Sequence, residues 1–302
     1  MNRTSCLPQA LPYLPAELRN RIQKLPQQTR EQIQEIRLRT GRPVAITLQG
    51  QEELLPHDGA SAVISAAYLD GVFRSVCEHS VHSYQQEINR GYITIAGGNR
   101  VGLCGTAVLQ RQQVEGLRHI SGINIRIAAQ IHGCGEELFH RTLEGDVGGL
   151  LICAPPNSGK TTMLRDLCRI CGSRHRVSVI DERGELAAMH QGSSPFELGA
   201  MTDVFDGYPK AMGIETAVRV MAPQYVVCDE IGGMEETEAI LHAVHTGVHL
   251  IATAHLGDLR QLSQRPQLQR LIEAGVFRYA VMLGSGTQCG RILTIRRIGQ
   301  PV

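Results

Sequence analysis

The chain has no tryptophan and few other aromatics, five Phe and seven Tyr in 302 residues, so it offers little surface on which successive bases could stack. It has no cationic surplus either: 30 Lys and Arg are matched by 29 Asp and Glu, a formal net charge of +1, with both signs spread through both halves. That balance weakens a nucleic-acid partner, because non-specific binding rests on neutralising phosphates. Long apolar runs are missing. The opening MNRTSCLPQALPYLPAELRN lacks the continuous apolar core of a secretory signal, and no stretch approaches the roughly 20 apolar residues of a membrane span. The protein is therefore expected to be soluble and to reach a membrane only through partners. Nine cysteines, an odd number at scattered positions, make no disulfide framework and point to a reducing compartment. Cys168 and Cys171 form a CxxC, but no second pair lies nearby to complete a zinc site, and the two read as one face of a helix.

Lysine is scarce too: Lys24, Lys160 and Lys210 are the only three. Lys160 falls in GGLLICAPPNSGKTTMLR, residues 148–165, where an apolar strand runs into a turn and then a helix beginning near Gly159. This is the context a phosphate-binding loop requires. The loop would comprise Ala154, Pro155, Pro156, Asn157, Ser158, Gly159, Lys160, Thr161 and Thr162. Backbone N–H groups of residues 155 to 160 are expected to wrap a polyphosphate, aided by the partial positive charge of the helix N-terminus. Lys160 would reach the β- and γ-phosphates, and the Thr161 hydroxyl would ligate Mg²⁺. One departure stands out. Ala154 occupies the place of the first glycine of G-x-x-x-x-G-K-[ST], so the loop starts without a free left-handed position and is stiffened by Pro155 and Pro156 instead.

YVVCDE, residues 225–230, delivers two adjacent carboxylates at a strand end. In a phosphate-loop protein Asp229 would hold the Mg²⁺ shell, and Glu230 would position or deprotonate the attacking water. VSVIDERGEL, 177–186, ends another strand in Asp181, Glu182 and Arg183, which could orient water or Mg²⁺, pair with an acid at a subunit edge, or form a solvated turn. LIATAHLGD, 250–258, puts Thr253 and His255 past a third strand end, where a histidine can hydrogen-bond a γ-phosphate.

Residues 1–145 read as a smaller N-terminal α+β domain. Short helical patterns cover Leu14–Leu25 and Thr29–Ile36, strand-like alternation runs over Ile36–Leu48 around Gly41-Arg42-Pro43, and an amphipathic helix is expected over Ala60–His79. Two strands joined at Gly97-Gly98-Asn99 follow in residues 91–109, then a strand over Gly122–Ala128. Arg100 and Arg126 on these strands are candidates for supplying charge to a phosphate bound elsewhere. Glu136–Asp146 would link to the second domain, 146–302. There strand and helix alternate: a helix over Lys160–Cys171, a strand over Val177–Asp181, a helix around Gly213–Met221, and a strand over Tyr225–Asp229. Then come a helix over Glu235–Thr246, a strand over His249–Thr253, a helix over Asp258–Glu273, and two terminal strands. That rhythm predicts an α/β fold with a doubly wound, mostly parallel sheet whose ligands sit at the carboxyl ends of the strands.

Taken together, the phosphate loop, VIDERGE, AVRVMAPQYVVCDEIGGMEE and ILHAVHTGVHLIATAHLGD resemble the RecA-like P-loop NTPase core of the secretion-ATPase superfamily, which drives type II and type IV secretion and pilus machines. The resemblance is closer still to the sporulation ATPases of endospore-forming bacteria. EIRLRTGRPV, GYITIAGGNRVGLCG and SGINIRIA share it, so it covers most of the chain.

It implies Walker A roles for Lys160 and Thr161 and Walker B roles for Asp229 and Glu230. Asp181, Glu182 and Arg183 fall at the family's acidic box, and Thr246-Gly247 with His255 at its histidine box. Arg126 lies where those ATPases offer an arginine from the amino-terminal domain to a neighbouring nucleotide. The resemblance further implies Mg²⁺ and ATP as cofactors, a homo-oligomer in the form of a hexameric ring, and the other stage III sporulation channel proteins at the membrane as partners. The expected role is an ATPase that powers or assembles a channel between mother cell and forespore, from the mother-cell cytoplasm at the membrane facing the forespore. Two features depart from the secretion members: no four-cysteine zinc insertion is present, and the chain stops soon after the last strand, without their long carboxyl-terminal domain. Two other functions are compatible with the motifs: a nucleotide-gated assembly scaffold with negligible hydrolysis, and a nucleic-acid translocase.

Overall fold

The computed structural model describes residues 2–56, 63–89, 91–110, 113–145 and 148–298. They form two compact units, one made of Arg3–Ala129 with Ala188–Pro195, the other of Asn2, Gln130–Ala187 and residues 196–298.

The N-terminal unit opens with β1 (Asn2–Ser5) and three short helices, α1 (Leu7–Ala10), α2 (Ala16–Gln23) and α3 (Gln27–Gln32). Its centre is an antiparallel sheet of β2 (Ile33–Arg39), β3 (Ala45–Leu48), β4 (Gln51–Leu54), β5 (Tyr92–Ile95), β6 (Asn99–Gln110) and β7 (Gln113–Arg126), in the order β4-β3-β2-β7-β6-β5. Alternation sets the buried face: Ile36 and Leu38 of β2 and Ile123 and Ile125 of β7 are at most 2% exposed, and period-two spacing sends their neighbours to the other side. Against that face packs α4 (Ala66–Val76), through Leu69, Val72 and Val76. Ser65 caps the helix by accepting from the Tyr68 N–H. The expected Ala60–His79 helix thus narrows to Ala66–Val76, and residues 57–62 lie outside the described ones. The helix expected over Thr29–Ile36 stops at Gln32, because Ile33 already takes extended geometry and starts β2. A short helix, α5 (Gln85–Asn89), precedes β5.

The second unit contains β8 (Ala129–His132), α6 (Glu136–Thr142) and a seven-stranded sheet. The strands are β9 (Leu150–Ala154), β10 (Val177–Asp181), β11 (Thr202–Asp206), β12 (Tyr225–Cys228), β13 (His249–His255), β14 (Tyr279–Leu283) and β15 (Ile292–Arg297). Their order is β11-β10-β12-β13-β9-β14-β15, parallel throughout except for the β14–β15 pair. Every residue of β9, β10 and β12 is buried, which is why they read as near-continuous apolar runs: both faces of the sheet are covered. The covering helices are α7 (Lys160–Gly172), α8 (Lys210–Met221), α9 (Met234–His245) and α10 (Pro266–Glu273). Cys168 and Cys171 lie in the buried face of α7, with Met163, Leu164 and Leu167. Burial raises both thiol pKa values, that of Cys171 to about 12, as suits packing residues rather than metal ligands or redox groups.

Two elements differ from expectation. β11 was hidden because TDVFD is a short edge strand with acids at its second and last positions. The helix expected over Asp258–Glu273 divides into a 3₁₀ segment, Leu259–Gln264, and α10, because Pro266 cannot continue a helix but can begin one.

Candidate functional site

β9, β12 and β13 end side by side, with β10 next to β12, so the phosphate loop and all three suspected acid and histidine positions emerge from one edge of the parallel sheet. Ala154 is the last, fully buried residue of β9. Its register partner in β13 is His255. The left-handed positions of the loop come later, at Asn157 (φ 58°) and Gly159 (φ 80°). Asparagine tolerates that region better than most residues, so an alanine at the first glycine position is accommodated without strain. Pro155 and Pro156 have no N–H, which corrects the expected cradle: of residues 155–160 only those from Asn157 on can donate to an anion. Ser158 is buried, and its carbonyl accepts from the Gly290 N–H at 3.1 Å. At the start of α7 the first N–H groups have no intrahelical partner by geometry, and Thr161 and Thr162 stand in that first turn.

Lys160 is buried and its ammonium donates to the carbonyls of Ala154 (3.0 Å) and Pro155 (2.8 Å) and to His255 Nδ1 (2.9 Å). Burial pulls its pKa below the usual value, while the Glu230 charge pushes it back up. An ammonium only donates, so Nδ1 must accept, and in neutral His255 the proton belongs on Nε2. That nitrogen faces Glu230 Oε2 at 3.6 Å. Arg183 Nη1 donates to the same oxygen at 3.4 Å. Lys160, His255, Glu230 and Arg183 thus form one polar chain linking β9, β13, β12 and β10.

Glu230 is held in an unusual backbone state, φ 24°, which costs a non-glycine residue about 1–3 kcal/mol. Its N–H donates to the buried Thr253 hydroxyl at 2.9 Å, and its carbonyl accepts from Lys210 Nζ at 2.6 Å. Asp229 beside it is buried, and desolvation raises its pKa to about 6 against the opposing pull of Lys210. Lys210 Nζ lies 3.9 Å from Asp229 Oδ1, 3.9 Å from Glu182 Oε2 and 3.7 Å from Glu236 Oε2. Sequence reasoning passed over this lysine, although the scarcity that singled out Lys160 applied to it equally.

Asp181 is placed differently from Glu182 and Arg183. Fully buried, it accepts from the N–H groups of Glu185, Leu186 and Ala187 at 2.8–3.0 Å, so its lone pairs tie down the loop after β10. Thr246 and Gly247 end α9: the Thr246 hydroxyl donates to the Ala243 carbonyl, and Gly247 takes φ 87° for the turn into β13. Arg126 belongs to the N-terminal unit. It ends β7 opposite Glu35 and Arg100, 64% exposed, with Nε 3.8 Å from Glu35 Oε1, and it borders a cavity of about 550 Å³ also lined by Arg3, Arg37 and Glu52. Arg100 lies over the Tyr92 ring.

The donors present fit a hard cation. Asp229 is a desolvated carboxylate whose nearest ammonium, at 3.9 Å, is too distant for a hydrogen bond, and the Thr161 hydroxyl is a second oxygen donor. Mg²⁺ is ordinarily held through one or two such groups plus substrate phosphates.

Comparison with known proteins agrees with this fold. In fold, the chain is similar to the pilus retraction motor PilT, solved with bound ADP, with a TM-score of 0.58 at 17% identity over 85% of this chain and 76% of that one. It is also similar to the Legionella pneumophila ATPase DotB, with a TM-score of 0.52 at 16% identity over 83% of this chain and 72% of that one. At such identities the likeness speaks for the fold alone, a RecA-like P-loop fold. In sequence, stage III sporulation protein AA of Bacillus subtilis (strain 168) is 37% identical over 270 residues, 87% of this chain and 86% of that protein. The family described as Sporulation stage III, protein AA matches residues 9–300, and this chain belongs to it.

Proposed function

We propose that the chain binds Mg²⁺-ATP at Ala154–Thr162 and hydrolyses it. The observation that carries this reading is the polar chain from Lys160 through His255 to Glu230, a hydrogen bond of 2.9 Å followed by a polar contact of 3.6 Å: it joins the residue suited to hold phosphate to the one suited to activate water. The N–H groups from Asn157 onward orient the β-phosphate, and Lys160 leaves the Ala154 and Pro155 carbonyls to follow the transferred phosphoryl group. Thr161 and Asp229 would hold Mg²⁺, which would neutralise charge on the phosphate oxygens. Glu230 orients the attacking water and accepts its proton, and His255, released by Lys160, is free to sense the γ-phosphate. Arg183 and Arg126 supply positive charge, Arg126 to a neighbouring copy's nucleotide in a ring. Membership of a sporulation family supports the wider proposal of a motor or assembly factor for a channel between mother cell and forespore, working at the membrane through the other channel proteins. Among the described residues no helix is long and apolar enough to cross a membrane.

The test is phosphate release from ATP with Mg²⁺ by wild type and Glu230→Gln, alongside nucleotide binding. Binding by both with release only by wild type supports hydrolysis. Binding without release by either favours the scaffold.

A further inference from the structure

We infer that Lys210 is a positioning residue which, together with Thr253, clamps both peptide groups of Glu230 and so aims its carboxylate. Lys210 is the first residue of α8 and is 6% exposed. A buried ammonium is costly unless paired, and a cation at a helix N-terminus meets the wrong end of the helix dipole. The fold holds it there nonetheless, and its contact of hydrogen-bond length is the 2.6 Å bond to the Glu230 carbonyl. Glu182, Asp229 and Glu236 surround it at 3.7–3.9 Å, beyond hydrogen-bond range, so they hold the ammonium by charge. Glu236 in turn accepts from the Gly232 N–H at 2.8 Å, which fixes the turn just after Glu230. On the other side the Glu230 N–H is taken by Thr253.

Glu230 sits at φ 24°, a conformation that persists only where the surroundings over-determine it. With one peptide group held from β13 and the other from α8, rotation about the Glu230 backbone is blocked, and the carboxylate stays between His255 and Arg183. Releasing either clamp lets the residue relax to negative φ and swings the carboxylate away. The kinetic consequence rests on the proposed ATPase reading; the structural one does not.

The experiment is to solve the structures of full-length Lys210→Met and Thr253→Val, and to measure kcat for ATP and nucleotide affinity for both, for Lys210→Arg and for the double variant. Glu230 is expected at negative φ in each single variant, with kcat down about 100-fold and nucleotide affinity little changed. Lys210→Arg should recover much of the rate. The double variant should lose no more than either single one, because both act through one residue. Glu230 unmoved near its present φ in either structure overturns the proposal, as does an unchanged kcat, or losses that multiply. Should Lys210→Met fail to fold, Thr253→Val decides. A wild type with no hydrolysis in any oligomeric state removes the ATPase reading instead, and the Glu230 φ in the variants still judges the clamp.

Discussion

Lys160 Nζ and His255 Nδ1 lie 2.9 Å apart, so the lysine expected to grip phosphate is held by a histidine from the end of β13. The lysine must exchange that partner, and the Ala154 and Pro155 carbonyls, for phosphate oxygens. His255→Ala should therefore leave nucleotide affinity equal or slightly tighter while lowering kcat by roughly 100-fold, the scale of one lost polar contact in catalysis. Stopped-flow binding beside steady-state hydrolysis checks this; a large loss of affinity would place His255 in ground-state binding.

Asp229 links pH to stability. Its pKa rises from 3.8 to about 6 on folding, chiefly through burial, so the native state binds that proton more tightly than the unfolded chain. Between about pH 4 and 6 this group makes stability fall as pH rises, by up to about 3 kcal/mol, and above pH 6 the full cost remains. Urea unfolding without nucleotide should find Asp229→Asn more stable than wild type at pH 7.5, with the difference vanishing by pH 3.5. Equal stability at both pH values would contradict the burial assigned to Asp229.

Asp181→Ala separates a structural acid from a chemical one. It would leave three N–H groups, those of Glu185, Leu186 and Ala187, without their acceptor in a buried loop. A destabilisation of about 3 kcal/mol or more is expected, since each orphaned group costs about 1–3 kcal/mol. Thermal unfolding reads the loss. A stable Asp181→Ala protein with abolished hydrolysis would return Asp181 to the catalytic set.

Gly149→Ala tests the entry to β9. A Cβ there would come 1.9 Å from the Val276 carbonyl oxygen, so the strand before the phosphate loop would have to shift. About 1–3 kcal/mol of stability should be lost, with weaker nucleotide binding because the loop moves with its strand. Chemical denaturation and a nucleotide titration together show both effects; no change in either would mean the backbone gives way freely.

Much of the site was legible because local chemistry and topology reinforce one another. A Lys-Thr pair after a buried strand and an Asp-Glu pair at the end of another leave few readings, and the alternation of strands and helices put them at one sheet edge. The parts that stayed hidden depend on distant partners. Lys210 is separated by 20 residues from the carbonyl it holds, and nothing adjacent to it in the chain announces that contact. Asp181 looks identical to a catalytic acid until its three backbone donors are seen. β11 lacks the double-sided burial that makes its neighbours β10 and β12 readable, and α10 was obscured by reading through Pro266. Arg126 stands out in the sequence by its place on a strand and by the family resemblance, and in its own unit it faces Glu35.

The central claim, an ATPase whose site is completed by a neighbouring copy, is tested most directly by ATP hydrolysis per chain against protein concentration, for wild type and Lys160→Ala, with oligomer size followed by light scattering. The account predicts that turnover per chain rises as rings form, and that Lys160→Ala shows none at any concentration. Turnover that stays flat at the Lys160→Ala background while rings assemble on adding ATP would contradict it, and would leave a nucleotide-gated scaffold.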